Sequence, residues 1–400
     1  MLLRPSVKAD KVLLSGAVLG ACAFFLTFLS LRPNRLVRGE PYAVWQTAAW
    51  PAAALLALLW ILAAAAALLP LRRERRPFLA AAAGSLIILC ILVFTALGGG
   101  RLIAPEDALS RLSLGAGAWL MLVSAALLLL KSGRDLKRPA GRLAGSLLIA
   151  GVLAALVLLL ASGRLNALGI VKEYQVRSSR FLGELTRHLL LSLGAVAAAV
   201  AIGIPLGITS YRKKLFRRPI FFAVNSIQTI PSLALFGIMI APLSALSRNL
   251  PFLRALGIRG IGWAPALLAL TLYALLPVTR NTYTSLDILD PAAIEAGRGM
   301  GMSRLQLLFR VEIPLSVPII LGGVRIALVQ AIGNTTVAAL IGAGGLGTFV
   351  FQGLGQAVPD LILLGALPVI ALATAADRIM RLFIAWITPR GLNRREGRQA

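Results

Sequence analysis

Long apolar runs separated by short polar stretches follow one another along almost the whole chain. Runs of about 20 residues are long enough to cross the hydrocarbon core of a bilayer as an α-helix. The first five runs are rich in Ala and Leu, which favour helices. The pattern therefore predicts ten membrane-spanning helices. They are expected at residues 12–31, 43–69, 78–97, 112–130, 143–162, 188–210, 219–243, 262–279, 315–341 and 361–387.

The composition agrees with a membrane protein. Hydrophobic residues make up 58% of the 400 residues and charged residues only 14%, whereas soluble domains average about 25% charged residues. We therefore predict an all-α integral membrane protein with about ten transmembrane helices. The first span has no small-residue cleavage site of the signal-peptide kind, so we expect it to stay in the membrane as an anchor.

The charge distribution predicts an orientation in the membrane. The 41 Lys and Arg residues outnumber the 15 Asp and Glu, giving a formal net charge of +26. When the spans alternate with the N-terminus inside, 27 of the 41 fall on the cytoplasmic side, counting Arg378 and Arg381 at the inner end of the last span. Another 13 fall outside, and Arg325 lies deeper within a span. This is the positive-inside distribution, and basic loops also attract anionic lipid head groups. We therefore expect membrane lipid rather than nucleic acid as a partner, in a bacterial inner (plasma) membrane with both termini cytoplasmic.

The character of the apolar runs changes after the fifth span. The earlier runs carry few polar residues and no motif with a chemical role, whereas later runs contain Pro, Gly, Asn, Gln and Thr. Helix breakers at membrane depth are tolerated where neighbouring helices or a water-lined cavity satisfy the backbone. The second half is therefore the expected working part. The predicted organisation is a membrane extension at 1–162, an external linker at 163–187, a core at 188–390 and a basic tail at 391–400.

A polar loop at residues 286–314 separates the eighth and ninth spans, and it contains an acid, a small pair, a glycine and a proline at fixed offsets. These residues are Glu295, Ala296, Gly297, Gly301 and Pro314. The spacing resembles the EAA loop by which membrane subunits of ABC importers dock on their ATPase, although the usual pattern has Ala in place of Gly297. We name residues 286–314 the docking loop.

Local signals predict how the docking loop folds. Asp290 is a good N-cap and Pro291 is favoured at the first helical position, while Gly301 permits a turn that other residues resist. The resemblance implies that this helix fits a cleft on the ATPase and transmits its closure to the membrane. A solvated amphipathic helix at the membrane surface is the alternative.

Three further segments extend the resemblance over the second half of the chain. They read TIPSLALFG (229–237), LLPVTRNTY (275–283) and AALIGAGGLGTFVF (338–351). Together with the docking loop they are similar to permeases of osmoprotectant ABC importers, in the subgroup with an N-terminal multi-span extension. The resemblance implies that the last five helices form an ABC importer permease core, which moves a quaternary-ammonium osmolyte such as glycine betaine.

The same resemblance implies the partners of the chain. Two copies of an ATP-binding subunit at the cytoplasmic face hydrolyse ATP, an external solute-binding protein delivers the solute, and a second permease chain, identical or paralogous, completes the pathway. The sequence has no GxxxxGK[ST] phosphate loop, so we expect a transport subunit that is not itself an enzyme. Its single histidine, His188, excludes a histidine-rich metal site, and we expect no metal or cofactor.

Polar residues inside the spans are candidates for the translocation path. Those in the seventh span flank Pro231, and those in the ninth span are consecutive. They are Gln228, Thr229, Ser232, Asn334, Thr335 and Thr336. Hydrogen bonding between neighbouring helices is the alternative for each of them. Arg325 joins the candidates because a charge at such depth is costly and usually faces the protein interior. The alternative is a shallower position, from which its side chain snorkels to the membrane surface. Asp377 and Arg381, four residues apart, are placed to pair on one helix face.

One glycine motif needs a separate interpretation. Gly342, Gly344 and Gly347 have the spacing of a dinucleotide-binding loop, but that motif requires a preceding strand and an acid about 20 residues later. Here the preceding run is a predicted span and Asp360 comes too early. We therefore expect an external turn rather than a nucleotide site.

Other functions stay open on sequence alone. A permease for another small solute, such as an amino acid, has the same docking loop. An ion-driven secondary transporter also binds its solute on discontinuous helices, although the docking loop and the scarcity of acids in the spans argue against it. A membrane scaffold or osmosensor suits only the first five spans.

Overall fold

The computed structural model is almost entirely helical, which confirms the all-α fold class. Within the described part of the chain, nine helices are long and apolar enough to cross a membrane, against about ten predicted. The chain divides into two compact units, Met1–Val176 and Arg177–Ala400. The predicted basic tail lies outside the described residues. The described residues are 10–69, 75–104, 107, 109–136 and 138–388.

The first unit is a bundle of helices with a small sheet at one end. Its core is apolar and centres on large buried side chains such as Trp60 and Phe28. In chain order the elements are α1 (Lys11–Ala23), β1 (Leu29–Arg32), β2 (Glu40–Tyr42), α2 (Val44–Thr47), α3 (Trp50–Leu68), α4 (Arg75–Leu102), β3 (Arg111–Leu114), α5 (Ala116–Asp135), α6 (Pro139–Ala161) and the start of α7 (Gly169–Arg212).

The predicted first span at 12–31 is wrong in its second half. Helix α1 has only 13 residues, or about 20 Å, and the chain then enters strand β1. That strand lies between β2 and β3 in an antiparallel sheet of order β2-β1-β3. Phe28 and Leu29 are buried beside this sheet. These residues are apolar because they pack against the sheet. Hydrophobicity alone does not distinguish such a buried strand from the continuation of a helix.

Loops that are predicted on the same side of the membrane meet within the first unit. The three strands come from the two outer loops near residues 32–42 and 98–111, and the Leu112 amide donates to the Ala167 carbonyl of the predicted linker at 2.8 Å. At the opposite end, the Asp10 amide donates to the Ala67 carbonyl at 3.2 Å. The helices therefore run alternately up and down, as the charge pattern predicts.

Much of the predicted linker at 163–187 is helical, because α7 begins at Gly169. Its first turns are held to the sheet by the buried carboxylate of Glu173. Arg111 Nη1 lies 2.7 Å and Arg35 Nε 2.9 Å from Glu173 Oε1. The backbone of Arg177 is not helical, with φ −125° and ψ 20°, and the boundary between the units falls there.

The second unit is built around one central helix, α11, most of whose side chains are buried. Short helices connect the long ones at both ends. After α7 the elements are α8 (Lys214–Thr229), α9 (Ser232–Asn249), α10 (Pro251–Ala255), α11 (Trp263–Asp287), α12 (Pro291–Gly299), α13 (Arg304–Leu307), a π-helical turn (Leu308–Glu312), α14 (Ile313–Ala338), a 3₁₀ turn (Ala339–Ile341), α15 (Gly347–Gly355) and α16 (Pro359–Ile387).

Glycines allow two helices to approach α11 closely. A Cβ on Gly207 of α7 would lie 2.6 Å from Thr282 Cβ, and one on Gly323 of α14 would lie 2.5 Å from the Pro277 carbonyl oxygen. Close backbone approach at small residues is a common way for helices to associate in membranes. Two glycines therefore fix how α7 and α14 cross the central helix.

The predicted seventh span at 219–243 consists of two helices. Helix α8 ends at Thr229 and α9 begins at Ser232. Pro231 lacks an N–H group and disfavours helical backbone at the preceding residue, so the helix breaks at Ile230–Pro231. The break falls among three of the predicted path residues.

Candidate functional site

The docking loop contains the predicted helix with the predicted cap. The carboxylate of Asp290 accepts the Ala292 amide at 3.0 Å, and Pro291 is the first residue of α12. The helix ends before Gly301, whose φ is +78°. That left-handed conformation favours glycine, so both the start and the end of this helix follow from the local sequence.

A second turn continues the docking loop towards the membrane. The Ser303 hydroxyl accepts the Gln306 amide at 3.3 Å, and Gln306 Oε1 accepts the Ser303 amide at 2.8 Å. This reciprocal capping box starts α13. The following π-helical turn was not predicted from the sequence; in it the Ile313 amide bonds to the Leu308 carbonyl, five residues earlier. Pro314 then lies at the start of α14.

The docking loop packs on itself through Gly297. This residue is buried, and a Cβ there would lie 2.6 Å from Leu307 Cδ1. An alanine, which the usual motif carries at this position, would require Leu307 to shift. Glu295 and Ala296 are exposed instead, so only these two of the three motif residues face outwards.

Exposed apolar side chains follow those two motif residues along the docking loop. Met300, Leu305 and Phe309 are 69%, 68% and 63% exposed. Apolar patches of this kind on an otherwise polar surface mark sites of protein contact. The structure therefore gives the loop both the exposed acid and the apolar surface that a protein partner requires.

An ion pair with a buried carboxylate joins the docking loop to the end of α7. The Glu312 side chain is 2% exposed, and its Oε2 lies 2.6 Å from Arg212 Nη2. Neither residue was singled out from the sequence. Glu312 stands between two apolar residues just before a span, which is a signal that it needs a partner, but its partner lies 100 residues away in the chain.

Two hydrogen bonds hold the break between α8 and α9 against α11. Gln228 Nε2 donates to the Tyr273 carbonyl at 2.6 Å, and the Tyr273 hydroxyl donates to the carbonyl of Ile230. Gln228 is therefore engaged in helix contact. Thr229 is exposed, with its hydroxyl bonded to the Ser226 carbonyl at 2.7 Å, and Ser232 is the first residue of α9.

Replacing Tyr273 by phenylalanine is expected to destabilise this unit. The substitution leaves the Ile230 carbonyl without its donor at a helix break, which lowers the free energy of unfolding by roughly 1–3 kcal/mol. A drop of several degrees in the melting temperature of the detergent-purified protein is the expected measurement. Thr374→Val is the matched control, because that hydroxyl bonds only to Ile370 in its own helix. Equal melting of the two variants would contradict the role of Tyr273.

The predicted path residues of α14 have different surroundings. Thr335 is buried and its hydroxyl donates to the Ala331 carbonyl of its own helix at 2.7 Å. Asn334 and Thr336 are half-buried, and the backbone of Thr336 is pressed against Gly347. Of the three consecutive side chains, Asn334 and Thr336 are therefore the ones that remain partly accessible within this chain.

Helix α8 carries two accessible residues that the sequence analysis missed. Asn225 and Phe222 are exposed, and Phe222 is 75% so. With Thr229 they follow the i, i+3, i+7 spacing of one helix face, while Val224 on another face is buried. The signal available in the sequence was the amide of Asn225 in the middle of an apolar run.

Arg325 does not stand alone in the ninth predicted span. Its Nε lies 2.5 Å from Asp377 Oδ1 on α16. Asp377 Oδ2 accepts Arg381 Nε at 2.8 Å, so the predicted pair of Asp377 and Arg381 is confirmed. The Asp377 carboxylate thus pairs with two guanidinium groups.

The glycine motif forms a turn that packs against α7. Gly342, Gly344 and Gly345 all have positive φ, and the Gly345 amide donates to Glu184 Oε2 at 2.6 Å. The turn follows a helix, and the second unit contains no strand among its described residues. A dinucleotide-binding fold needs that strand, so the interpretation as a turn is correct.

Two families match the sequence, one in each part of the chain. Residues 9–171 match the family described as ABC transporter permease YehY, N-terminal domain. Residues 199–389 match the family described as binding-protein-dependent transport system inner membrane component. The second match includes the docking loop.

Several characterised proteins are similar in sequence. The osmoprotectant import permease protein OsmW of Salmonella typhimurium is 41% identical over 55% of this chain and 98% of its own length. The carnitine transport permease protein OpuCB of Listeria monocytogenes is 39% identical, with coverages of 58% and 97%. The choline transport system permease protein OpuBB of Bacillus subtilis is 36% identical, with coverages of 56% and 96%. A chain of the solved MetNI methionine ABC transporter, in an inward-facing conformation, is 25% identical, with coverages of 52% and 96% and a TM-score of 0.42.

Proposed function

This chain belongs to the permease subunits of binding-protein-dependent ABC importers, and we propose that it translocates a quaternary-ammonium osmolyte such as glycine betaine. The three similar permeases are named for osmoprotectant, carnitine and choline transport. Carnitine and choline share a trimethylammonium group with glycine betaine. An osmolyte of this class is therefore better supported than an amino acid.

The observation that carries the coupling to an ATPase is the exposed surface of the docking loop, whereas the choice of solute rests on the similar permeases. Glu295 and Ala296 face outwards on a helix whose ends are fixed by local capping, and three large apolar side chains are exposed further along the loop. Two copies of an ATP-binding subunit would cover these surfaces in a transporter with two permease chains. Closure of the ATPases on ATP would then push on α12 and, through the π-helical turn, on α14.

The chain is a multi-pass inner membrane protein, and we place its termini and docking loop in the cytoplasm. The excess of Lys and Arg on that side supports this orientation. The meeting of alternate loops at the two ends of the first unit supports the alternation of the helices on which this orientation depends. The glycine turn at 342–347 then lies outside, where an external solute-binding protein delivers its cargo.

We assign the exposed face of α8 to the translocation path between the two permease chains. Asn225 lies about 17 Å along the helix from its first residue, near the middle of the bilayer, where lipid cannot satisfy an amide. Phe222 on the same face presents an aromatic ring, which attracts quaternary ammonium groups. Thr229, Asn334 and Thr336 supply further polar groups.

Asn225→Ala is expected to lower uptake at least several-fold without changing the amount of protein in the membrane. The reason is that the amide is exposed and bonds to none of the residues that the structure describes. Initial rates of labelled glycine betaine uptake measure the effect. Asn249→Ala, which removes an exposed amide at the end of α9, is the control and should transport normally. Unchanged uptake by Asn225→Ala would remove α8 from the path.

Reconstitution tests the proposed function directly. The complex, purified from native membranes into vesicles, should take up labelled glycine betaine when ATP and the external binding protein are both present. An ion gradient without ATP should drive no uptake. Gradient-driven uptake would instead indicate a secondary transporter, and an ATPase that accompanies the chain without betaine uptake would retain the importer and exclude this solute.

The core is expected to transport without the N-terminal extension. The similar permeases align with little more than half of this chain yet are covered over nearly their whole length, and the two units have separate apolar cores. A chain starting at Arg177 should therefore assemble and retain ATP-dependent uptake within a few-fold of the full chain. Measuring that uptake across ionic strengths also tests for an osmosensing extension, since only the full chain would then respond.

A further inference from the structure

A large cavity lies at the docking-loop end of the second unit. Its volume is about 760 Å³, and its walls come from the ends of α11, α14 and α16 and from the first residues of α12. The exposed path face of α8 does not contribute to it. The cavity is therefore separate from the proposed translocation path.

Two guanidinium groups with unused donors line this cavity. Arg325 and Arg381 both line it and share the single carboxylate of Asp377. Arg325 donates only through Nε and Arg381 only through Nε and Nη2, so three guanidinium nitrogens have no protein acceptor among the described residues. Asp290 also lines the cavity, but its carboxylate caps α12. The available groups are therefore donors for an anion.

Most of the remaining lining is apolar, and it includes Leu289, Leu315, Ile319 and Ile384. The hydroxyls of Ser285 and Thr388 also line the cavity, but each donates to a carbonyl of its own helix. Apolar side chains do not stabilise a small hydrated anion. A phospholipid, in contrast, packs an acyl chain against these side chains while its phosphate binds the arginines. We propose that this cavity binds an anionic phospholipid of the inner leaflet. The choice of leaflet rests on the orientation in the proposed function.

The position of the cavity gives the lipid a consequence for transport. Asp290 and Pro291, which start α12, are part of its wall. A lipid in the cavity thus contacts the element through which ATPase closure is expected to reach the membrane. The head group and acyl chain of the bound lipid then help to fix the position of α12 relative to α14 and α16.

Native mass spectrometry of the detergent-purified complex, incubated with phosphatidylglycerol or phosphatidylcholine, tests the proposal. Wild type should retain phosphatidylglycerol in preference. Arg381→Gln should lower that retention about fivefold, the contribution of one basic residue near an anionic head group. This variant keeps the Arg325–Asp377 pair and so should fold. Arg378→Gln is the control, because it removes an exposed charge from the same helix outside the cavity.

Three outcomes would overturn the lipid site. They are equal retention of the two lipids by wild type, retention by Arg381→Gln equal to wild type, and displacement of phosphatidylglycerol by millimolar glycine betaine, which would make the cavity a solute site. Lipid retention is measured without ATP and without uptake. A complex that binds the lipid selectively but imports nothing would therefore refute the proposed function and leave the lipid site standing.

Discussion

Replacing Gly301 by aspartate is expected to abolish ATP-dependent uptake while the chain stays in the membrane. Gly301 is exposed, has a φ of +78°, and has open space where a side chain would project. The fold therefore meets no clash, and the left-handed backbone costs roughly 1–2 kcal/mol for an ordinary residue. The larger effect is a new carboxylate beside the surface that the ATPase is proposed to cover.

Gly301→Asn separates charge from backbone in this experiment. Asparagine has nearly the same shape as aspartate and tolerates positive φ, so it should retain much of the uptake. The measurements are uptake in vesicles, the amount of chain in the membrane, and the amount of ATPase that purifies with it. Normal uptake by Gly301→Asp would contradict the assignment of this loop to ATPase coupling.

Arg212→Gln is expected to be among the most destabilising single changes in the second unit. It leaves the buried carboxylate of Glu312 without its cation, and an unpaired buried charge is costly. Because the Arg212 side chain is itself 30% exposed, water compensates part of the loss, and the expected cost is roughly 1–3 kcal/mol. A marked fall in melting temperature and in the yield of folded protein should result. Arg218→Gln, which removes an exposed charge near the start of α8, should change neither quantity.

A second substitution distinguishes a stabilising role from a role in coupling. In the double variant Arg212→Gln with Glu312→Gln, two neutral amides replace the pair, so most of the lost stability should return. If uptake stays low after stability recovers, the ion pair also transmits motion from the docking loop to α7. Melting of Arg212→Gln at the wild-type temperature would show that the pair is not important for the fold.

Local features of the docking loop were predictable from the sequence. The cap at Asp290, the first turn at Pro291 and the left-handed turn at Gly301 depend on a few neighbouring residues, and the structure has all three. The purpose of Gly297 was not predictable in the same way. The sequence shows only that it belongs to the small pair of the motif, whereas in the structure it makes room for Leu307, ten residues later in the same loop.

The partners of the charged and polar residues in the spans could not be predicted. Gln228 bonds to a residue 45 positions away, and Arg325 to one 52 positions away. Such pairs depend on where long helices cross. At α11 these crossing points depend on Gly207 of α7 and Gly323 of α14. Sequence patterns indicate which face of each helix is apolar and which is polar, but not which helices contact each other through those faces.

The sequence by itself determined the membrane setting, the alternation of loops, the docking loop and the resemblance to importer permeases, because hydropathy, charge and short motifs are local properties of the chain. Only the tertiary structure decided that residues 29–32 form a strand, that α8 breaks from α9, that Glu312 pairs with Arg212 and that two arginines lining one cavity share Asp377. Those features depend on contacts between distant segments. Their free energy comes from packing and from the pairing of buried polar groups, which no single stretch of sequence contains.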